Sequence, residues 1–212
     1  MKHASALGQD RRMTPTIRLA EDRDAAALAR IYAANVTDTV ISFEIVPPDA
    51  AEMAARVRRV QPHAPWLVYD AGEVVGYAYA AAHRERAAYR WAIDVSVYVD
   101  GAHRRRGVGH ALYSSLLALV RLQGFYRAHA GITLPNAASV ALHESFGFAP
   151  VGVYGAVGFK HGRWHDVGWW QLALRDAGGA PAEPLTPAAL AGDVRWSAAM
   201  ARGVAGGAAD KP

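Results

Sequence analysis

The sequence contains no cysteine among its 212 residues. This absence excludes disulfide bridges, thiolate metal sites and every mechanism that depends on a cysteine nucleophile. A covalent thioester intermediate on the protein is excluded for the same reason.

Long apolar runs are also missing, because no stretch approaches the roughly 20 residues that span a bilayer. The N-terminal segment MKHASALGQDRRMTPTIRLA carries charges but lacks the apolar centre of a signal peptide. Hydrophobic residues make up 52% of the chain and charged residues 20%, which is the composition of a folded domain. We therefore expect a cytoplasmic protein without a membrane partner.

The 19 acidic residues are fewer than the 23 lysine and arginine residues, and the formal net charge is +4. A net positive charge favours an anionic partner, either a phosphorylated small molecule or a nucleic acid. Apart from clusters near Arg58 and Arg104, the basic residues are spread along the chain. This spread leaves nucleic acid as a modest possibility only.

The order of hydrophobic patterns predicts one α/β domain over residues 15–175. Residues 1–14 are predicted to be a mobile leader. Residues 176–212 are rich in Ala, Gly and Pro, and we expect a flexible tail, with a short helix in AALAGDVRWSAAMARGV as the alternative. Within the domain, Asp49 is predicted to cap a helix, with Glu52 in the capping-box position. A stripe of apolar residues predicts that a later helix faces the core: Leu112, Leu116, Leu119 and Val120.

The stretch VSVYVDGAHRRRGVGHALYSSLL joins a predicted strand to that later helix through RRRGVG. Free N–H groups and the dipole at a helix start attract anions, and glycine lets the backbone come close to a ligand. The pattern indicates either a pyrophosphate cradle or an exposed basic helix start that binds nothing. It is neither a nucleoside-triphosphate P-loop nor a dinucleotide fingerprint, because Gly-Lys-Ser/Thr and the third glycine are both missing.

RRRGVG also resembles the Arg/Gln-x-x-Gly-x-Gly/Ala signature of the GNAT N-acetyltransferase superfamily. From Thr16 to Leu174, several further segments are similar, in the same order, to the phosphinothricin N-acetyltransferase family: ISFE, WLVYDAGEVVGYAYA, RERAAYRWAIDVSVYV, GITLPNAASVALHESFGF and VGFKHGRWHDVGWWQ. The resemblance implies a mixed, mostly antiparallel α/β (α+β) sheet with helices on both faces. It also implies a splayed strand pair that holds acetyl-CoA.

The resemblance carries the family's site onto particular residues. Those implied to bind acetyl-CoA lie on the strand, in the cradle and at the start of the next helix: Val97, Tyr98, Val99, Arg104, Arg105, Arg106, Gly107, Val108, Gly109, His110 and Asn136. Arg86 and Tyr89 match the family's substrate-binding positions, since a guanidinium pairs bidentately with a carboxylate or phosphinate. Phe43 resembles a wall of the active site.

The family's proposed base is a glutamate, and the matching residue here is Asp94. Aspartate is one methylene shorter, and its unperturbed pKa of about 3.9 is far from ideal for a base at neutral pH. Either a water extends its reach, or Asp94 is only structural, or His143 takes more of the work. His143 matches a histidine also proposed for catalysis, although a histidine on an amphipathic helix is also an ordinary hydrogen-bonded core residue.

The expected activity is acetyl-CoA-dependent N-acetylation of a small amino acid such as L-phosphinothricin, methionine sulfoximine or methionine sulfone, by direct transfer in a ternary complex. Such an activity gives antibiotic or herbicide resistance. The alternatives are an acetyltransferase for protein N-termini or lysines and a non-catalytic acetyl-CoA-binding regulator. The resemblance also implies a homodimer. Because it explains the arginine cluster by the phosphates of acetyl-CoA, a nucleic-acid binder is the weakest alternative, and we expect no nucleic-acid partner. No metal is expected, because Gly162 and Trp164 lie between His161 and His165 and indicate a turn and a strand.

Overall fold

The computed structural model describes residues 14–205. The predicted leader lies outside this range except for Thr14, as do residues 206–212. The helices are α1 Ala25–Thr37, α2 Ala50–Val60, α3 Val108–Gln123, α4 Ala137–Ser145, α5 Pro187–Leu190 and α6 Val194–Ala205. The strands are β1 Thr16–Leu19, β2 Trp66–Asp70, β3 Val74–Ala82, β4 Ala92–Val99, β5 Arg127–Leu134, β6 Ala149–Lys160 and β7 Arg163–Ala173. Over the described range, no helix is both long and apolar enough to cross a membrane.

The strands form one seven-stranded sheet in the order β1-β2-β3-β4-β5-β7-β6. Strands β4 and β5 run parallel, and the other neighbouring strands run antiparallel. The predicted mixed, mostly antiparallel sheet is confirmed. The β4–β5 ladder pairs residues 92–94 with residues 127–129 and then stops, although both strands continue. The two strands therefore diverge beyond Asp94 and His129, which leaves a split in the middle of the sheet.

Helices cover both faces of the sheet. On one face, α3 buries the predicted apolar stripe completely against Ile93 and Val95 of β4. On the other face, α1 and α2 pack around Trp66 and Tyr77. Full burial of one leucine side chain contributes about 1.5–3 kcal/mol. The site-bearing strand β4 is thus held between two apolar layers.

Local signals set the ends of the helices that flank the site. The Asp49 carboxylate accepts a hydrogen bond from the backbone N–H of Glu52 at 2.8 Å, which confirms the predicted cap of α2. The Glu52 side chain does not complete a capping box and instead accepts from Arg56 at 2.8 Å. Gly124 ends α3 with φ of 101°, a left-handed conformation that glycine adopts at little cost.

The tail is the main correction to the predicted organisation. Residues 187–205 are not a flexible extension, because α5 and α6 fold back and pack on the domain. Leu190 and Trp196 are buried in the same core as α3. The Ser115 hydroxyl of α3 donates to the carbonyl of Met200 at 2.7 Å and accepts from the N–H of Gly203 at 3.0 Å. The Ala- and Gly-rich composition supplies small residues that let two helices come close together.

Candidate active site

The RRRGVG segment forms the junction between β4 and α3. Gly107 precedes the helix with φ of 79°, and Arg105 is also left-handed with φ of 60°. The side chains of residues 104–106 are exposed, whereas Val108 is buried and fixes the first turn. Free N–H groups at the start of α3 and three exposed guanidinium groups together form a site suited to a phosphate.

The split between β4 and β5 leads away from this junction. It holds a narrow cavity of about 60 Å³ between residues 95–98 of β4 and residues 130–133 of β5. Because the β4–β5 ladder has ended here, one edge of β4 is unpaired along the cavity. An extended ligand can add to such an edge like another strand. Of the predicted cofactor residues, Val97 and Tyr98 line the cavity, and Val99 follows on the same strand.

Two further predicted cofactor residues lie at the ends of neighbouring helices. The Asn136 side chain accepts a hydrogen bond from the N–H of Ser139 at 3.1 Å, so it caps α4, and it also lines the cavity in the split. His110 is exposed in the first turn of α3, with its ring 4.5 Å from that of Phe146. Asn136 therefore has a structural role that is compatible with ligand contact.

His143 is buried beside the same cavity, and both of its ring nitrogens are engaged. Nδ1 donates to the carbonyl of Ser139 at 2.7 Å, and Nε2 accepts from the Tyr113 hydroxyl at 3.0 Å. Burial lowers the pKa of His143, against the opposing effect of the Ser139 hydrogen bond, and burial raises the pKa of Tyr113. Both side chains line the cavity in the split, and no sequence pattern had indicated Tyr113.

Asp94 is the last β4 residue paired with β5, so it stands at the closed end of the split. Its carboxylate accepts a hydrogen bond from Nδ1 of His83 at 2.6 Å. Burial raises the pKa of Asp94, and the hydrogen bond and charge of His83 oppose that rise. The carboxylate and the imidazole are close enough to share a proton, so they act as a pair.

A second, wider cavity opens beside this pair. It has a volume of about 570 Å³, and its walls are Ala82, His83, Arg84, Glu85, Arg86 and Tyr89. Both predicted substrate residues, Arg86 and Tyr89, thus share a cavity with His83. Among residues 14–205, the Arg86 guanidinium forms no ion pair, so it is available to an anionic ligand.

Phe43 does not line either cavity. Its ring packs against the β6–β7 hairpin, where a Cβ on Gly158 would lie 2.1 Å from a ring carbon. Ile41, two residues earlier, lines the cavity in the split instead. Lys160 of the hairpin donates to the carbonyls of Val36 and Ser42, so the chain's own hairpin fixes the loop that carries both residues.

His161 and His165 do not converge on a common point. His165 is buried and donates to the carbonyl of Lys160 at 3.0 Å, whereas His161 is exposed and faces the carbonyl of Thr39 at 3.3 Å. In each ring, one nitrogen is hydrogen-bonded to a backbone carbonyl oxygen. The expectation that the enzyme needs no metal stays a prediction.

The cradle, the split and the cavities match a known architecture. A family model described as the acetyltransferase (GNAT) domain matches residues 17–169. The chain belongs to the GNAT acetyltransferase family. It is accordingly an acyltransferase, and its helices α5 and α6 lie beyond the matched segment.

Several GNAT relatives are similar over most of the chain. Phosphinothricin N-acetyltransferase of Streptomyces viridochromogenes is 40% identical over 172 residues, which are 81% of this chain and 93% of that enzyme. The L-methionine sulfoximine/L-methionine sulfone acetyltransferase of Salmonella typhimurium is 35% identical and covers 75% of this chain and 94% of its own. A solved phosphinothricin acetyltransferase from Sinorhizobium meliloti, in complex with acetyl-CoA, is 37% identical with a TM-score of 0.77, covering 82% of this chain and 97% of its own.

Proposed function

We propose that this GNAT enzyme transfers the acetyl group of acetyl-CoA to the α-amino group of a small amino acid. L-Phosphinothricin, methionine sulfoximine and methionine sulfone are the acceptors that fit best. The observation that carries the proposal is the position of the unpaired Arg86 in a cavity beside the end of the β4–β5 split. The activities of the Streptomyces and Salmonella relatives support the same acceptors.

Acetyl-CoA fits the described residues as the second substrate. The start of α3 and the guanidinium groups of Arg104, Arg105 and Arg106 suit its pyrophosphate. The unpaired edge of β4 suits the amide-containing pantetheine arm, with Tyr98 and Asn136 at the walls of the slot. The thioester then points toward the closed end of the split, where Asp94 is located.

The acetyl transfer is direct and takes place in a ternary complex. The neutral amine attacks the thioester carbon, and the resulting oxyanion needs stabilisation before the carbon–sulfur bond breaks. We propose that Asp94 assists deprotonation of the amine. We also propose that His143, through its hydrogen bond with Tyr113, assists on the thioester side of the reaction. The absence of cysteine agrees with a mechanism that forms no thioester on the enzyme.

The acceptor is held by its anionic groups. We propose that Arg86 pairs with the carboxylate and that Tyr89 adds a hydroxyl beside it. A free α-amino group titrates near pH 8, so modest basic help suffices. Acetylation removes the positive charge of an amino-acid antibiotic, which would give resistance. We place the reaction in the cytoplasm, where acetyl-CoA is made.

A second candidate is acetylation of protein N-termini. A solved ribosomal-protein-alanine N-acetyltransferase from Brucella melitensis is 34% identical with a TM-score of 0.72. A peptide acceptor has no free α-carboxylate next to the reacting amine, so it would not need Arg86. The two candidates therefore differ in how they respond to loss of this side chain.

The test is thiol release from acetyl-CoA with L-phosphinothricin, methionine sulfoximine, methionine sulfone, glutamate and an N-terminal peptide. We expect turnover with the first three acceptors. Arg86→Ala should raise the KM for the amino acid about tenfold to a hundredfold, because a hydrogen bond to a charged group contributes about 1.5–3 kcal/mol. The KM for acetyl-CoA should not change.

Arg58→Ala is the matched control, since Arg58 lies on α2 in an exposed ion pair with Asp22. It should leave both constants at the wild-type values. Turnover with the peptide alone, or an Arg86→Ala enzyme with an unchanged KM, would contradict the small-amino-acid acceptor.

A further inference from the structure

His83 connects the acceptor cavity to Asp94. It follows β3 directly, and the antiparallel β3–β4 register brings it next to Asp94 although eleven positions separate the two in sequence. Its ring is a wall of the cavity that also contains Arg86 and Tyr89, whereas Asp94 is not among the walls of that cavity. A substrate held by Arg86 therefore meets the imidazole of His83.

The hydrogen bonds of His83 leave one nitrogen available. Nδ1 donates to the Asp94 carboxylate at 2.6 Å. Among residues 14–205, Nε2 has no hydrogen-bond partner, and it is not one of the buried polar atoms left unsatisfied. A carboxylate that holds Nδ1–H fixes the tautomer in which Nε2 carries the lone pair, and it stabilises the imidazolium that forms when Nε2 takes a proton.

Neighbouring rings hold His83 in place. His129 of β5 stacks on it with the ring centroids 4.2 Å apart and the planes 19° from parallel. The rings of Tyr89 and Trp169 are in edge-type contact with the His83 ring, each with its centroid 6.0 Å from that of His83. Burial lowers the pKa of His129, which stays uncharged beneath His83.

Charged side chains of both signs lie near the stacked rings of His83 and His129. The Asp94 carboxylate faces Nδ1, Arg84 lies over the Trp169 ring at 5.7 Å, and Glu85 and Arg86 line the same cavity as His83. A neutral His129 adds no repulsion when His83 becomes cationic.

We propose that His83 is the general base of the reaction and that Asp94 is its positioning residue, which rests on the proposed acetyl transfer to an amine. The acceptor ammonium gives one proton to Nε2 of His83, and the neutral amine then attacks the thioester carbon. As the carbon–sulfur bond breaks, the second proton of the attacking nitrogen goes to the sulfur of coenzyme A. His83 returns its proton to solvent. The shorter side chain of Asp94 is thus extended by an imidazole rather than by water.

The alternative to a general base is that the same side chains bind a shared metal ion. His83, Asp94 and His129 offer ligand atoms within 4.8 Å of one another. An ion bound by both imidazoles would have to lie close to the plane of each ring, because the nitrogen lone pairs lie in those planes. The stacked, nearly parallel rings do not point their lone pairs at one position between them. The geometry therefore favours a base over a metal site.

The first experiment compares His83→Gln with wild type on whichever amine the acceptor panel shows to be a substrate. Glutamine keeps a donor for Asp94 but takes up no proton. We expect kcat to fall about a hundredfold or more at neutral pH, within the usual range for general base catalysis. The loss should shrink as the pH rises and the amine deprotonates by itself, and the KM for acetyl-CoA should not change.

His63→Gln is the matched control, since His63 is an exposed histidine in the loop after α2. It should behave like wild type. A His83→Gln enzyme with wild-type kcat at neutral pH would overturn the proposal. Activity that disappears on dialysis against EDTA and returns with Zn²⁺ would also overturn it, in favour of the metal site.

A second measurement does not depend on turnover. The ¹⁵N spectrum of the neutral His83 ring should show the proton on Nδ1, and Asp94→Ala should shift the population toward the Nε2–H tautomer. An unchanged tautomer would overturn the pairing of the two residues. If no amine is acetylated but the tautomer shifts as expected, the proposed function fails while the pairing stands.

Discussion

At the scale of the residue, the two glycines of the RRRGVG cradle have different tasks. Gly107 needs its left-handed φ of 79°, and a Cβ there would meet nothing within 4 Å. Gly109 has no such conformation, and a Cβ there would make ordinary contacts with Leu142 at 3.5 Å and Val99 at 3.7 Å. Val97, which lines the slot, would be 4.0 Å from the same Cβ, so an added methyl group at position 109 would lie beside the slot.

We expect Gly107→Ala to destabilise the fold by about 1–2 kcal/mol, the usual cost of a left-handed non-glycine residue. Gly109→Ala should have the same urea midpoint of unfolding as the wild-type protein. It should bind acetyl-CoA at least tenfold more weakly, because the methyl group competes with the bound pantetheine. Urea denaturation and calorimetric titration measure the two effects. A Gly109→Ala protein with wild-type affinity would show that the slot is not where acetyl-CoA binds.

The sequence identified single residues where a local rule or a family motif applies. Asp49 and the leucine stripe of α3 were predictable from capping and helical periodicity. Asp94 was recognised only by its position in a motif. His83 was missed because its importance comes from the register of β3 against β4 and from the stacked ring of His129, and sequence spacing carries neither.

At the scale of the element, the C-terminal helix α6 shows why composition misled the prediction of a flexible tail. Small residues are typical of unstructured segments, but they also let helices approach closely. A Cβ on Gly203 would lie 1.9 Å from the carbonyl oxygen of Ala111 in α3. The glycine that weakens α6 as an isolated helix is thus what allows it to pack on α3.

We expect Gly203→Leu to undock α6, although leucine is the better helix former by about 1 kcal/mol. Hydrogen exchange should accelerate across residues 194–205, and Tm should fall by several degrees. Ala198→Leu is the control, because Ala198 is exposed on the same helix. Equal protection in the two variants would mean that the close approach of α6 to α3 does not hold the tail.

At the scale of the whole molecule, strand β6 is an exposed edge of the sheet. Large apolar side chains on it are at least half exposed: Val151, Val153, Tyr154, Val157 and Phe159. Trp164 of β7 is 64% exposed and lies beside Phe159, with ring centroids 5.3 Å apart. A long apolar edge strand invites pairing with another chain, and natural proteins usually cover or charge such an edge. We predict that β6 is the contact surface of the homodimer that the family resemblance implies.

The wild-type chain should therefore have twice its 22.7 kDa mass by light scattering at micromolar concentration. The double variant Val153→Glu/Phe159→Glu should be a monomer, because two charges cannot be buried without partners. Val194→Glu, at an exposed apolar position on α6, is the control and should stay dimeric. Because the slot proposed for acetyl-CoA lies between β4 and β5 of a single chain, the monomer should still bind acetyl-CoA. A monomeric wild type, or a double variant that remains a dimer, would show that β6 is not the interface.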